Sequence, residues 1–460
     1  MTNEILVAGI DSSSQSTKVL LVRASDGKVV DQNSAAHPIG TEVHPDIWWD
    51  ALQQAGAGLL QRAAAISVGG QQHGMVALDA DGEVVRPALL WNDLRSAPQI
   101  DSVVDHLGGS QTCADTIGSV PAASFTITKL RWMFENEPDN AHRTQAVLLP
   151  HDWLTWKLGG QAEKTTDHGD ASGTGYYSPQ HRKWLPLLAA WALGRHTAPE
   201  LPRIAEPSAT VGHTKTGAVL AAGTGDNMAA ALGLGLEPGD VAVSIGTSGT
   251  AFCVSDTVTS DPEGSVSGFA DATGRYLPLV CTVNASRVLT VIEAILGVDH
   301  DDLADLALAA APGAGGLTLL PYLDGERTPN RPAATGVING LTSTTRREDL
   351  ARAAVEGLLC SLADAVDALN RPTKRILMIG GGARNPAVQA LAPAVFGMPV
   401  AVPQPAEYVA LSAARQAAWA LTGTGHAPTW NAAPTETFAT TPTTQVRARY
   451  GELRDATTSW

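Results

Sequence analysis

Residues 241–254 read VAVSIGTSGTAFCV, an apolar run, a short loop of glycine and hydroxyl residues, and a second apolar run. The chain opens in the same way, because residues 5–22 read ILVAGIDSSSQSTKVLLV. Short apolar runs on either side of a small polar loop predict two paired strands. One such unit is weak evidence. Two copies, each opening one half of a 460-residue chain, indicate a duplicated α/β domain.

Each of the two loops predicts a site for phosphate oxygens. The first, Asp11–Lys18, offers backbone N–H groups, hydroxyls and one cation, and the second, Gly246–Thr250, offers N–H groups and hydroxyls. A plain polar turn explains either loop taken alone. Because the loops occupy matching places in the two halves, the pattern favours a nucleotide phosphate tail held between them.

Gly223–Asn227 lies between an apolar run that predicts a strand end and an alanine-rich run that predicts a helix. Asp226 therefore falls at a helix N-terminus, where the helix dipole holds a carboxylate ionised. Such a carboxylate can accept a proton from a substrate hydroxyl. An ordinary N-cap explains the same residue, so this stretch by itself leaves both interpretations open.

The composition limits the classes of partner. The formal net charge of −15 argues against nucleic acid or an anionic membrane surface as the main partner. Four cysteines form no CxxC pair, and no run of about 18 apolar residues occurs. The first residues lack the basic segment of a secretory signal. The default expectation is a cytoplasmic protein without a disulfide framework or a membrane span.

A set of histidines and aspartates in the first half of the chain suggests metal ligands. The set comprises His151, Asp152, Asp167, His168 and Asp170. Its spacing fits no common ligand pattern, and no cysteine joins it. The sequence therefore predicts no metal site from these residues.

Three other stretches carry local signals. Gly70–Gly74 ends a predicted strand and places Gln72 and His73 where α/β proteins usually bind ligands. Gly380–Asn385 separates a predicted strand from a helix, and its three consecutive glycines allow close approach of a flat ring or a phosphate. It is not a GxGxxG fingerprint, so NAD is not expected.

The tail from Thr422, rich in Thr, Pro and Ala, predicts a surface segment or a partly ordered end.

Together these segments resemble the FGGY carbohydrate kinases, within the larger group of actin-like ATPases. Ser124–Asn136 and Gly336–Glu356 resemble the two family signatures, and the phosphate and glycine loops follow the family order. The resemblance covers essentially the whole chain. It implies an α/β fold of two ribonuclease-H-like domains, each a mixed sheet with flanking helices, with the active site in the cleft between them. The implied domains are residues 1–240, which bind sugar and carry the first phosphate loop, and residues 241–460, which bind nucleotide.

The resemblance also implies the reaction. The chain is most similar to the members that use ATP to phosphorylate the 5-hydroxyl of D-xylulose. This similarity is carried by Gly70–Gly74, Leu90–Arg95, Ala222–Asn227, Ile245–Gly249 and Leu320–Pro329. The alternatives are a kinase for another ketose or polyol (ribulose, a hexulose, a pentitol or gluconate) and a non-catalytic nucleotide-binding regulator of the same superfamily. Homodimers are frequent in such families, so a homodimer is a further expectation.

The site residues are implied by the same resemblance. Asp226 would take the proton of the sugar hydroxyl, and Asp11 would lie near a magnesium ion, bound through water. The sugar would be bound by Gln72, His73, Asp226 and Asn227. The transferring phosphate would face Ser14, Gln15 and Lys18. The nucleotide would be bound by Thr247, Gly381, Gly382 and Asn385.

Two positions depart from the family pattern. Ser13 and Ser14 stand where the first phosphate loop usually has glycine and threonine, which keeps the hydroxyl but loses the freedom of glycine at positive φ. Gln72 stands where members that act on xylulose often have methionine. Glutamine can hydrogen-bond a sugar hydroxyl, so the preferred pentulose or polyol stays open. No counterpart of the Arg-Glu pair of glycerol-phosphorylating members occurs, which counts against glycerol.

Overall fold

The structure is a computed structural model that describes residues 4–430 and 433–458. Its strands, in chain order, are β1 (Leu6–Ser12), β2 (Ser16–Arg23), β3 (Val29–Ala36), β4 (Glu42–Val43), β5 (Ala65–Gly70), β6 (Val76–Leu78), β7 (Ala88–Leu89), β8 (Ala146–Leu148), β9 (Thr165–Asp167), β10 (Tyr177–Ser178), β11 (Lys183–Trp184), β12 (Arg203–Ala205), β13 (Thr210–His213), β14 (Val219–Ala221), β15 (Thr224–Gly225), β16 (Asp240–Ile245), β17 (Gly249–Cys253), β18 (Ser267–Ala270), β19 (Tyr276–Thr282), β20 (Thr318–Leu320), β21 (Val337–Asn339), β22 (Arg375–Ile379), β23 (Val400–Pro403) and β24 (Thr435–Phe438).

The α-helices are α1 (Asp46–Gly56), α2 (Ile100–Leu107), α3 (Ser110–Ile117), α4 (Thr126–Asn136), α5 (Pro138–Arg143), α6 (Pro150–Leu158), α7 (His168–Ala171), α8 (Pro186–Ala192), α9 (Asp226–Leu234), α10 (Ser286–Leu296), α11 (His300–Ala309), α12 (Arg347–Ala368), α13 (Pro386–Phe396), α14 (Tyr408–Thr422) and α15 (Thr444–Ala456). Among the described residues, no helix is both long and apolar enough to span a membrane.

The chain forms two compact units, and each unit combines segments that lie far apart in the sequence. The first unit comprises Met1–Gly235, Ser255–Leu277 and Glu407–Ala432. The second unit comprises Leu236–Val254, Pro278–Ala406 and Ala433–Trp460. The division into domains 1–240 and 241–460, made from the sequence, stays a proposal.

The sheet of the first unit is built around the N-terminal hairpin. Its strands follow the order β13-β14-β5-β1-β2-β3, and β15 also pairs with β5. The strands β1, β2 and β3 form an antiparallel meander, whereas β5 and β14 continue the sheet in parallel. The predicted loop Asp11–Lys18 is shorter than expected. Asp11 and Lys18 face each other across the β1–β2 ladder, so only Ser13–Gln15 form the turn.

The second unit repeats this pattern. From β19 the strand order is β19-β17-β16-β22-β23-β24. The strands β16, β17 and β19 are antiparallel to their neighbours in this order. The strand β22 runs parallel to β16, and β23 runs parallel to β22. Each sheet is therefore a meander of three strands extended by parallel strands, which are reached through helical connections. This confirms the duplication predicted from the two strand–loop–strand segments.

Close packing of a late helix places further residues beside the first hairpin. The helix α14 lies against β1, where a Cβ atom added to Gly9 would be 1.8 Å from the carbonyl oxygen of Ala410. Glycine is therefore needed for this approach. The contact brings Glu407, the residue before α14, next to the side chain of Lys18.

The described part of the C-terminal tail is mostly exposed, as predicted for a surface segment, but it contains regular structure that the sequence analysis did not predict. The strand β24 pairs with β23, and α15 buries Val446, Tyr450 and Leu453. These three residues are surrounded in the sequence by charged and polar ones. The average composition of the tail therefore does not reveal the narrow face of α15 that packs on the protein. Residues 431–432 and 459–460 of the predicted tail lie outside the described residues.

Candidate active site

Asp226 is the first residue of α9, directly after the short strand β15. Gly225 occupies the N-cap position, and no side chain caps the helix. The Asp226 Oδ1 atom instead accepts hydrogen bonds from the backbone N–H of Asn227 at 2.8 Å and from its side-chain amide at 3.0 Å. The N-cap interpretation of Asp226 is therefore wrong.

The loop after β5 meets this helix start. The side-chain amide of Asn227 also donates to Gln72 Oε1 at 2.9 Å. A Cβ atom on Gly225 would lie 2.7 Å from Gln72 Cγ, so glycine permits the contact. Gln72 Nε2 is buried and has no hydrogen-bond partner among the described residues. The structure thus brings Gln72, Asp226 and Asn227 into one cluster, which presents a carboxylate and an amide donor.

His73 is held beside this cluster in an unusual conformation. Its φ of 65° is in the left-handed region, which a non-glycine residue adopts only when its surroundings demand it. Its Nδ1 atom lies 2.8 Å from the carbonyl oxygen of Gly173, and its ring stacks on Phe125. Its own carbonyl oxygen accepts a hydrogen bond from the buried Lys129 at 3.2 Å. The sugar-binding role predicted for His73 stays a prediction, and these contacts fix its ring.

Asp11 is buried at the end of β1. Its Oδ1 atom has no hydrogen-bond partner among the described residues. Burial raises the pKa of Asp11 to about 7, an effect that Lys18 opposes and Glu407 reinforces. Lys18 Nζ lies 2.6 Å from Glu407 Oε2, an ion pair that the sequence analysis did not foresee because the two residues are far apart in the chain. A phosphate contact of Lys18 stays a prediction.

The ionisation of Asp226 differs from the sequence expectation. Burial, followed by the charge of Asp11, raises its pKa to about 7, and the bonds from Asn227 only partly oppose this. The expectation that Asp226 is held ionised does not hold below about pH 7, because desolvation and a like charge favour its protonated form. A carboxylate whose pKa lies near neutrality is better suited to proton transfer than an ordinary aspartate.

The turn of the first hairpin is held by side-chain contacts. Ser14 donates to Gln71 Oε1 at 3.2 Å and accepts a bond from the indole N–H of Trp91 at 3.0 Å. Gln15 is exposed. Ser13 is not among the residues with positive φ, so serine fills the usual glycine position without backbone strain. The phosphate contacts of Ser14 and Gln15 stay predictions.

The nucleotide-binding residues expected from the resemblance lie in the second unit. Thr247 is exposed, and its carbonyl oxygen accepts a bond from the N–H of Ala285 at 3.0 Å. Gly381 is exposed with open space beside it, whereas Gly382 packs on Ile245. Two exposed backbone segments at strand ends suit a nucleotide.

The side chain of Asn385 caps the helix that follows it. Its Oδ1 atom accepts from the N–H groups of Ala387 and Val388 at 2.9 and 3.1 Å and so caps α13. Its amide nitrogen lies 3.1 Å from His300 Nε2. A nucleotide contact through Asn385 stays a prediction.

A buried charged cluster lies in the first unit, where the sequence analysis predicted no metal site. His151, Asp152 and Asp170 bring potential ligand atoms within 4.8 Å of one another. Spacing along the chain was an insufficient reason to set these residues aside, because the N-terminal end of α6 and the short helix α7 come together. The available signal was the pair His151-Asp152 inside an otherwise apolar segment, since buried charges require partners.

Comparison with known proteins identifies the group to which this architecture belongs. The family model described as the N-terminal domain of the FGGY family of carbohydrate kinases matches residues 6–235, and its C-terminal counterpart matches residues 241–421. The chain belongs to the FGGY family of carbohydrate kinases. This FGGY kinase therefore has the two-domain α/β fold of the actin-like ATPases, as predicted.

Three relatives illustrate the similarity. Xylulose kinase from Streptomyces coelicolor is 47% identical over 448 residues, which cover 93% of this chain and 91% of that protein. The crystal structure of xylulose kinase from Bifidobacterium adolescentis is 44% identical, has a TM-score of 0.92, and is matched over 98% of this chain and 99% of the other. Gluconate kinase from Lactobacillus acidophilus is 25% identical with a TM-score of 0.88, and 99% of each chain is covered.

Proposed function

We propose that this FGGY kinase transfers the γ-phosphoryl group of ATP to the 5-hydroxyl of D-xylulose, giving D-xylulose 5-phosphate and ADP. The relatives that are 47% and 44% identical, both described as xylulose kinases, support this substrate. The observation that carries the chemistry is the cluster of Gln72, Asp226 and Asn227. In it, a carboxylate with a raised pKa stands beside an amide donor that has no partner within the described part of the chain.

Asp226 is the general base in this proposal. Its carboxylate accepts the proton as the 5-oxygen forms a bond to the γ-phosphorus and the bond from that phosphorus to ADP breaks. Gln72 Nε2 donates to a sugar hydroxyl, and His73 borders the same position. Phosphoryl transfer depends mainly on positioning and charge neutralisation, so a fixed carboxylate and fixed donors are what the protein has to supply.

Asp11 fits the magnesium ion that this family is expected to use. Its buried Oδ1 atom has no partner among the described residues, and carboxylate oxygen and water are ligands that magnesium prefers. Bound near Asp11 through water, magnesium would neutralise charge on the β- and γ-phosphates. Ser14, Gln15 and Lys18 would contact the transferred phosphate. The nucleotide would contact Thr247, Gly381, Gly382 and Asn385.

A second candidate is another ketose or polyol as the acceptor. Gln72 stands where xylulose-phosphorylating members often have methionine. Its Nε2 atom has no partner in residues 4–430 and 433–458, so this donor can favour a different arrangement of hydroxyls. Family membership and the paired carboxylates Asp11 and Asp226 favour a catalyst over a non-catalytic regulator. The homodimer and the cytoplasmic location stay predictions.

The substrate is tested by ADP release with magnesium and ATP against a panel of sugars. The panel contains D-xylulose, D-ribulose, L-ribulose, L-fuculose, gluconate, glycerol, ribitol and D-arabinitol. We expect the highest kcat/KM with D-xylulose. A higher kcat/KM with another acceptor would contradict D-xylulose as the preferred substrate and would leave the proposed role of Asp226 as the base unaffected. ATP hydrolysis that is insensitive to every sugar would contradict the kinase proposal itself.

A further inference from the structure

His151 is buried beneath two loops that carry the proposed sugar contacts, Gly70–Gly74 and Gly223–Asn227, here called the sugar loops. It is the second residue of α6, and its side chain has no exposed surface. A Cβ atom on Gly70 would lie 2.9 Å from His151 Cβ, and one on Gly223 would lie 2.6 Å from the ring carbon Cδ2. Glycine at both positions lets the two sugar loops pack directly on this histidine.

Both ring nitrogens of His151 face a carboxylate. Nδ1 lies 2.7 Å from Asp170 Oδ2, and Nε2 lies 3.2 Å from Asp152 Oδ1. Burial by itself lowers the pKa of His151, but Asp152, Asp170 and Asp167 together raise it to about 9. Nδ1 makes a hydrogen bond with Asp170, whereas Nε2 faces Asp152 at ion-pair distance and has no hydrogen-bond partner among the described residues. The surrounding carboxylates therefore hold the His151 ring from both sides and favour its protonated form.

The carboxylates around His151 belong to a segment that reaches both sugar loops. Asp167 Oδ2 accepts a hydrogen bond from Thr224 Oγ1 at 2.7 Å, two residues before Asp226. At the other end of the segment, the carbonyl oxygen of Gly173 lies 2.8 Å from His73 Nδ1. Asp170 stands between these two points and holds the His151 ring. One short segment thus connects the catalytic loop, the histidine and the loop after β5.

We propose that His151 is a positioning residue of the sugar site. Held by its two carboxylates, it keeps the sugar loops in the arrangement that binds the acceptor. Because its side chain is fully buried, it acts through Gly70 and Gly223 and not by touching the sugar. This inference rests on the proposed function, since its effect is measured through sugar phosphorylation.

The variant His151→Asn tests the proposal. Asparagine keeps one amide donor near Asp170 but removes the charge, the contact to Asp152 and the ring on which Gly223 packs. We expect kcat/KM for D-xylulose to fall on the order of 10²-fold, mostly through a higher KM, because small displacements of positioned groups have effects of this size. The affinity for ATP should stay unchanged, since the contacts of His151 with Gly70, Gly223 and the two carboxylates include none of the proposed ATP contacts.

His168→Asn is the matched control. His168 is also a buried histidine, on the neighbouring α7, but its ring contacts Tyr177 at 2.6 Å and Glu206 at 3.4 Å. We expect this variant to keep the sugar KM even where its melting temperature falls. An equal rise in sugar KM in both variants would show a general loss of packing and would overturn the proposal.

Thr224→Val provides a second test if His151→Asn does not fold. It removes the hydroxyl that bonds Asp167 and leaves His151 and the shape of the side chain in place. We expect the sugar KM to rise while ATP affinity stays constant. Wild-type sugar KM in a folded His151→Asn or Thr224→Val protein would overturn the proposal. So would a stoichiometric metal in the wild-type protein that His151→Asn loses. Absence of sugar phosphorylation by the wild-type protein would instead refute the proposed function.

Discussion

The side-chain amide of Asn227 donates to Gln72 Oε1 at 2.9 Å, so the start of α9 and the loop after β5 are joined directly. The same amide donates to Asp226, and Gln72 keeps its own amide nitrogen unpaired among the described residues. Asn227 therefore orients both the proposed base and the proposed sugar donor.

Gln72→Leu removes the sugar donor and the acceptor for Asn227 and keeps a side chain of similar size. Because a hydrogen bond contributes about 1 kcal/mol, we expect the KM for the sugar to rise by roughly fivefold, with an unchanged KM for ATP. Steady-state kinetics measures both constants. Gln111→Leu, an exposed position on α3, is the control and should have no effect. An unchanged sugar KM in Gln72→Leu would remove Gln72 from the sugar site.

The pH dependence of the reaction follows from the pKa of Asp226. A base must be ionised, and burial together with Asp11 raises this pKa to about 7. We therefore expect kcat/KM to reach its maximum above about pH 7 and to fall about tenfold for each pH unit below that value. Asp11→Asn removes a like charge, so the residual activity of that variant should fall at a lower pH. A profile that is flat through neutrality in the wild-type enzyme would contradict the assignment.

Glu407→Gln breaks the ion pair with Lys18. Both side chains are partly exposed, and such pairs contribute about 0–1 kcal/mol, so the melting temperature should change little. The freed cation should lower the KM for ATP, because Lys18 is then available to phosphate oxygens. Lys18→Met should act in the opposite direction. A lower melting temperature with no change in the KM for ATP would show that the pair is structural.

Gly9→Ala tests the packing of α14 on β1. Its new Cβ atom would lie 1.8 Å from the Ala410 carbonyl oxygen, so we expect the free energy of unfolding to fall by roughly 1–3 kcal/mol or more. Gly381→Ala is the matched control for stability, because no atom lies within 4 Å of its added Cβ. Chemical denaturation of the two variants measures the difference. Equal stabilities would contradict the close approach at Gly9.

The parts of the structure that depend on neighbouring residues in the chain were predictable. The two strand–loop–strand segments, the helix after Asp226 and the strand before Gly380 follow from apolar runs and glycine positions. Their repetition also predicted two sheets of the same design.

The features that depend on contacts between distant segments were not predictable. The raised pKa of Asp226 comes first from burial and then from Asp11, which arrives from β1, and the pair Lys18–Glu407 requires the packing of α14. Likewise, the charged cluster around His151 forms because α6 and α7 meet. Local sequence patterns carry no information on distances between remote segments. The sequence analysis therefore predicted which residue acts as the base but not the raised pKa of that residue.

The most direct measurement is the rate of ADP release with magnesium, ATP and D-xylulose for the wild-type enzyme and for Asp226→Asn. Asparagine keeps the shape of the side chain and the possibility of bonding Asn227, but it cannot accept the proton. The account predicts that kcat falls by about 10²–10⁴-fold while ATP binding, measured by calorimetry, is retained. An Asp226→Asn enzyme with a turnover close to that of the wild type would contradict the central role of Asp226.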